Sequence, residues 1–150
     1  MEVSIKRLKA NEWAKFVKLV KVFEDVFEME NLSIPKVEHL RRLLSRNNFH
    51  VFVALLDNKV VGGLTTYMLE QYYSDKPLAY IYDLAVDAKL QRQGIGKRLI
   101  AETCKFYKKK GSEVVFVQVD KADKHAIDFY RKTKPSGEDS VVHFSYTLEK

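Results

Sequence analysis

The hexapeptide Gln91-Arg92-Gln93-Gly94-Ile95-Gly96 is the stretch of this chain best suited to hold a ligand. It stands between an apolar run ending at Val86 and a helical pattern that reaches about Lys110. A helix N-terminus leaves backbone N–H groups unpaired and carries partial positive charge, and glycines let a phosphate approach those groups with no Cβ in the way. The spacing lacks the Gly-Lys-Ser/Thr ending of a P-loop and is not the Gly-x-Gly-x-x-Gly of dinucleotide folds, which disfavours ATP and NAD. Taken alone, such a turn is also an ordinary strand-to-helix connection. Charge favours the pyrophosphate reading, because the window 89–110 holds eight bases and one acid, Glu102, a net +7 against +6 for the whole chain. Arg92 and Lys97 are the bases that would add charge toward the phosphates.

Carboxylates form the second set. Asp83 interrupts the apolar run Tyr80-Ile81-Tyr82-Asp83-Leu84-Ala85-Val86, where an unpartnered carboxylate is costly to bury. Asp120, at the end of the next apolar run, and Asp123 follow it as candidates. Glu24, Asp25, Glu28 and Glu30 lie in a stretch free of bases from Val22 to Pro35, readable as a cation-binding cluster or as a solvated acidic helix end. His125 and His143 lack ligand-like companions, so no metal site is expected. Cys104 is a lone cysteine inside a helical pattern, expected in the core and not as a nucleophile.

The elements that must position these groups follow from periodicity. After a first strand, Asn11 is a plausible N-cap for a helix carrying Trp13, Phe16, Val17, Val20, Phe23 and Phe27 at helical spacing. Ser33 and Pro35 open a second helix through Val37, Leu40, Leu43 and Leu44, ending near Asn47 and Asn48. The period then shortens to that of strands at 50–56 and 59–69, with Asp57-Asn58 between them as a tight hairpin turn. A strand at 79–86, a helix from 94 to about 110 closed by Gly111, a short strand at 114–119 and a helix near 123–132 come next. Residues 141–148 alternate as a closing strand. The order β-α-α-β-β-β-α-β-α-β predicts an α/β fold with a mixed central sheet flanked by helices.

Composition sets the outer bounds. The 150 residues, 46% hydrophobic and 31% charged, suit one domain, 1–150, folded around a core, with no repeat, linker or composition break. A single cysteine and a non-apolar N-terminus favour a reducing cytoplasmic location, and no apolar run approaches the ~20 residues that cross a bilayer. The basic window has only Phe106 and Tyr107 as interleaved aromatics, so nucleic acid is not the expected partner. The oligomeric state stays open, a homodimer included.

Three segments read together resemble the GCN5-related N-acetyltransferases: residues 80–86, the loop 91–96, and Ala126-Ile127-Asp128-Phe129-Tyr130-Arg131-Lys132. Asp25-Val26-Phe27-Glu28, Val117-Gln118-Val119-Asp120 and Val142-His143-Phe144 extend the likeness toward small single-domain aminoglycoside 3-N-acetyltransferases; Lys134-Pro135 stands where Gly-Phe is common in the family. The resemblance implies acetyl-coenzyme A as cosubstrate, its pyrophosphate on backbone donors of Gln91, Arg92, Gln93, Gly94, Ile95 and Gly96 with Lys97 beside them. Its pantetheine arm would lie along the main chain of Leu84, Ala85 and Val86. It further implies Tyr130 as proton donor to the departing thiolate. Acetyl transfer needs a neutral amine, whereas an alkylammonium with a pKa of ~10.4 is mostly charged at pH 7, so a carboxylate must accept its proton. Asp83 is expected in that role, directly or through water, with Glu24, Asp25, Glu28, Asp120 and Asp123 attracting the rest of an aminoglycoside-like polyamine. Another small amine, a peptide amine or a non-catalytic acyl-coenzyme A sensor are the alternatives.

Overall fold

The computed structural model describes residues 2–29 and 35–149 and divides into two compact units, 1–118 and 119–150. In the first unit, strands β1 (Val3–Arg7), β2 (Phe49–Leu56), β3 (Lys59–Leu69), β4 (Leu78–Val86) and β5 (Val114–Val117) form one sheet in chain order. The first three neighbouring pairs are antiparallel and β4–β5 is parallel, as a mixed sheet requires. Asp57 and Asn58, both left-handed at φ 50° and 64°, make the tight turn between β2 and β3 whose twist suits a hairpin.

Helices α1 (Trp13–Val26) and α2 (Val37–Leu44) cover one face of the sheet, and α3 (Ile95–Lys109) covers the other. β2 therefore reads as a near-continuous apolar run: Val51, Val53 and Leu55 pack with Phe16, Leu19 and Phe23 of α1, while Phe52 and Ala54 pack with Leu99 and Tyr107 of α3. Leu19 reaches the sheet over Gly63, where a Cβ would collide with the Phe52 carbonyl oxygen and stand 2.8 Å from Leu19 Cδ1. Two starts differ from expectation. Asn11 does not cap α1; Glu12 occupies that position and spends its carboxylate on Lys6, 2.8 Å away, and on the Lys9 N–H. Helix α2 begins after Pro35 with Lys36 as cap, and Ser33 lies outside the described residues.

The second unit holds α4 (Lys124–Lys132), capped by Asp123, whose carboxylate accepts from the Ala126 N–H at 3.1 Å. Arg131 forks onto Glu138 at 2.8 and 3.0 Å, holding the turn in which Lys134 is left-handed at φ 58°. The expected closing strand does not form. Residues 141–149 carry no strand pairing and are exposed, with Phe144 77% and Leu148 93% accessible: alternation of residue types alone does not make a strand without a bonded neighbour.

Candidate active site

The loop before α3 carries the features that anion binding needs. Arg92 is left-handed at φ 64° and Gly94 at φ 84°, and Gly94 opens α3 with no side-chain cap and no acid in the first turn. The first helical N–H groups are left without a carboxylate to satisfy them, and a Cβ built on Gly94 meets nothing within 4 Å, so the approach to them is open. Ile95 and Gly96 are buried, whereas Arg92, Gln93, Lys97 and Arg98 are exposed. The Gln91 amide donates to the Val86 carbonyl oxygen at 2.9 Å and ties the loop to the end of β4; Arg98 reaches the Val3 carbonyl oxygen at 2.7 Å. The far end of α3 is locked to the sheet by Tyr107, whose hydroxyl lies 2.8 Å from His50 Nδ1 and 2.5 Å from Thr66 Oγ1.

Strand β4 presents two surfaces. β5 pairs only with its first half, from Leu78–Val114 to Ile81–Val117, so the backbone of residues 82–86 has no strand on that side among the described residues. An extended chain could add there as a further strand, which is the geometry the Leu84, Ala85 and Val86 reading asks for.

The other surface is made by a bulge. Thr65 pairs with Asp83 but Thr66 pairs with Ile81, so Tyr82 is an extra residue on β4. Strict alternation would send Asp83 to the same side as Ile81, into the apolar packing under α3. The slip turns Asp83 and Ala85 to the α1 side instead, alongside Tyr80 and Tyr82. There Tyr67 and Tyr82 meet at 5.8 Å between ring centroids, Tyr80 and Tyr82 at 6.0 Å, and Tyr80 stacks on Phe116 at 4.8 Å. Asp83 is half-buried, and burial pushes its carboxyl up from the ordinary value. Among the described residues it has no ion pair or hydrogen bond, so the carboxylate has no counter-charge there. Burial, then the nearby Tyr82 and Asp83, raise the phenols of Tyr67 and Tyr80, keeping both protonated as donors.

Tyr82, 59% exposed beside Asp83, offers an open ring face of the kind that takes cations and sugar rings. Its grouping with Tyr67 and Tyr80 was not foreseen from sequence; the Tyr-x-Tyr spacing was visible, but the bulge that brings Asp83 to the same side leaves no mark in residue types. The other candidates are placed as follows. Glu24 is half-buried and Asp25 and Glu28 are exposed at the C-terminal end of α1, the helix that packs on β3 and β4 over the Asp83 face. Glu30 lies outside the described residues. In the second unit, Asp120 accepts from the Ala122 N–H at 2.9 Å and Asp123 caps α4, so both carboxylates already have backbone partners. Tyr130 sits half-buried in α4, its ring edge-on to Phe129 at 4.9 Å. Cys104 is exposed on α3 and not in the core as expected, because α3 turns Thr103 and Tyr107 inward and position 104 outward. No group of three or more His, Cys, Asp or Glu that could hold a metal occurs among the described residues. No helix there is long and apolar enough to cross a membrane.

Comparison with solved structures gives close matches. An aminoglycoside acetyltransferase from an uncultured soil metagenomic sample, meta-AAC0020, solved in complex with sisomicin, is 64% identical with a TM-score of 0.97, covering 98% of this chain and 97% of that one. A second soil-metagenome aminoglycoside acetyltransferase, HMB0005, is 32% identical with a TM-score of 0.92 over 99% of this chain and 100% of that one. The aminoglycoside N-acetyltransferase AAC(6')-Iy in complex with CoA shares the fold, with a TM-score of 0.79 at 12% identity over 97% of this chain and 95% of that one. Comparison with curated proteins gives no match. The profile of the acetyltransferase (GNAT) family matches residues 16–134, which take in the uncapped loop, the bulged strand and α4 alike. The chain belongs to that family and is an N-acetyltransferase.

Proposed function

We propose that the enzyme transfers acetyl from acetyl-coenzyme A to an amine of an aminoglycoside-like polyamine by direct attack, with no acyl-enzyme. The observation that carries the acceptor is Asp83: a half-buried carboxylate with raised pKa, without a cation of its own, set among three tyrosines by the bulge in β4. A polycation supplies the missing counter-charge, and the 64% identical relative was solved with sisomicin. The family profile matches residues 16–134, which supports reading residues 1–150 as a single N-acetyltransferase domain.

The residues present fit the donor. The uncapped N-terminus of α3, open at Gly94, would take the pyrophosphate on the N–H groups of the 91–96 loop, with Arg92 and Lys97 adding charge. The backbone of Leu84, Ala85 and Val86, which has no strand on its β5 side among the described residues, would hold the extended arm. Acetyl-coenzyme A supplies a thioester carbonyl to attack. The substrate ammonium gives its proton to Asp83 or to a water on it, and the freed amine forms the C–N bond while the C–S bond breaks. Tyr130 gives a proton to the departing thiolate and the attacking nitrogen sheds its second proton, which restores the phenol by way of solvent, so the products are an amide and a free thiol. Glu24, Asp25 and Glu28 draw in the remaining ammonium groups. The single cysteine, Cys104, takes no part: partial desolvation raises its pKa and leaves little thiolate at neutral pH. Acetylation removes one positive charge from the acceptor, which for an aminoglycoside would act as antibiotic resistance, and the single cysteine favours the cytoplasm as its location.

Free-thiol release from acetyl-coenzyme A over a panel of sisomicin-like aminoglycosides, spermidine and single amino acids tests this. Aminoglycosides should lead. Turnover of amino acids alone would overturn the acceptor, and no thiol release with any amine would overturn the reaction.

A further inference from the structure

We propose that Tyr107, on the opposite face of the sheet from Asp83, is a positioning residue for that carboxylate: its hydroxyl holds the β3 row beside the bulge, so that Asp83 keeps its place across the ladder. The inference rests on the reading of Asp83 as the base that takes the ammonium proton. Tyr107 is fully buried near the end of α3, where phenylalanine would fill the same space and bring no polar atom to satisfy. Burial pushes its phenol up to about 12, so it keeps its proton at neutral pH and needs partners inside the core. Those partners sit on two adjacent strands. His50 Nδ1 of β2 is 2.8 Å from the hydroxyl and Thr66 Oγ1 of β3 is 2.5 Å from it, while Thr66, also fully buried, donates to the His50 carbonyl oxygen at 2.9 Å. His50 and Thr66 are direct partners in the β2–β3 ladder, so one hydroxyl of α3 clasps a cross-strand pair.

That pair stands at the slip. β3 and β4 run in step from Gly62–Val86 to Thr65–Asp83 and again from Thr66–Ile81 to Leu69–Leu78, and the extra residue Tyr82 falls between the Thr65 and Thr66 rows. A bulge leaves its extra residue unpaired and breaks the ladder locally, so the backbone next to it is held less firmly than the rest of the strand. β5 does not make up the loss, because its pairing with β4 stops at Ile81. Asp83 is thus the first residue beyond the break, with its restraint coming from Thr65 across the ladder and from Thr66 behind Thr65. Thr66 faces α3 in the row of Ile81, which leaves Thr65 facing the α1 side with Asp83. The clasp of Tyr107 on Thr66 and His50 replaces, from the α3 side, the rigidity that the bulge removes.

Tyr107→Phe keeps the ring and removes the hydroxyl. In the folded variant kcat for the best aminoglycoside should fall about a hundredfold, as expected when a catalytic group is misplaced by ~1 Å, with affinity for acetyl-coenzyme A unchanged by calorimetry. Carboxyl-carbon NMR reads Asp83 without turnover: its raised pKa should move toward the ordinary value in Tyr107→Phe as the carboxylate gains water. Thr66→Val, matched in shape, should reproduce both changes, and Thr66→Ser, which keeps the hydroxyl, should hold kcat within about threefold and leave the Asp83 titration in place. If Tyr107→Phe does not fold, the two Thr66 variants carry the same comparison. A merely structural clasp would lower the urea midpoint and move neither readout. An Asp83 titration that stays where it was, or a kcat within about threefold of the unaltered protein's, would therefore overturn the proposal. Asp83→Asn tells the two failures apart: full kcat in that variant would remove Asp83 as the base, whereas loss of kcat there with Tyr107→Phe unimpaired would remove only the role of Tyr107.

Discussion

Acid should loosen the attachment of α3 through one histidine. His50 is 8% exposed in β2, its Nδ1 2.8 Å from the Tyr107 hydroxyl. Tyr107 in turn lies 2.5 Å from Thr66 Oγ1, and the Thr66 hydroxyl donates to the His50 carbonyl oxygen at 2.9 Å. One set of protons satisfies all three contacts: a neutral His50 donates from Nδ1 to Tyr107, Tyr107 to Thr66, and Thr66 back to the backbone. Protonation of His50 would add a charge in a buried place already flanked by Arg7 and Lys110. Burial first, and those two cations second, depress its pKa from 6.5 to about 4. The folded state then binds the proton less readily than the unfolded chain. The stabilisation is present above the unfolded value and is lost as pH falls from about 6.5 to about 4. A gap of about 2.5 units at 1.36 kcal/mol each is about 3 kcal/mol, a large part of a usual stability of 5–15 kcal/mol. With a urea slope of about 1–3 kcal/mol/M, the midpoint should fall by about 1–3 M across that window. His50→Gln keeps a polar group but cannot titrate there, so its midpoint should change less over the same range. NMR titration checks the cause directly: His50 should titrate at about 4, well below the ordinary imidazole value of 6.5. A His50 that titrates at about the ordinary imidazole value, or a His50→Gln protein whose urea midpoints run parallel to those of the unaltered chain, would refute the reasoning.

Four other outcomes are expected. Asp83→Asn should lower kcat/KM at neutral pH by about 100- to 10,000-fold and remove the rising limb that the raised carboxyl pKa sets, because the amide cannot accept a proton; a variant with unchanged pH–rate profile would exclude Asp83 as the base. Tyr130→Phe should cut kcat about ten- to a thousandfold with donor affinity unchanged by calorimetry, since only a proton donor is removed. Tyr82→Ala, at an exposed ring, should leave the melting temperature unchanged and raise KM for a polyamine about tenfold, leaving that for the donor alone. Gly63→Ala should cost about 1–3 kcal/mol in urea unfolding, because its Cβ meets backbone at Phe52 and the packed Leu19.

Most of the unit 1–118 was legible because its signals are local. Phe16, Val20 and Phe23 mark α1 by spacing, Asp57-Asn58 mark the hairpin, and Gly94 and Gly111 stand at the left-handed positions that open and close α3. The loop of the candidate site was readable for the same reason. What failed depended on partners distant in sequence. Asn11 has the side chain of a cap, but Glu12 wins because Lys6 of β1 is within reach. The alternation of 141–148 is a true strand pattern, yet a strand exists only where a neighbour bonds it. The bulge at Tyr82 was hidden too, since it arises from the register between β3 and β4, and no residue of β4 announces it.

The bulge also resolves how a basic protein can serve a polycationic acceptor. The +7 of residues 89–110 belongs to α3 and its entry loop, on one face of the sheet. Asp83 and the acidic end of α1 belong to the opposite face. Layers of helix and sheet are each about 10 Å thick, and the Debye length at physiological salt is about 8 Å, so surface charges on the two faces are largely screened from each other. Net charge therefore says little about either site. In the proposed reaction a polyanionic donor meets the basic face and a polycationic acceptor the acidic one, with β4 as the partition between them. A carboxylate one residue out of register would have faced the donor side, where it would repel the phosphates and leave the ammonium without a base. On that proposal, insertion of the single residue Tyr82 into the strand would be what sorts the two charges to the two substrates.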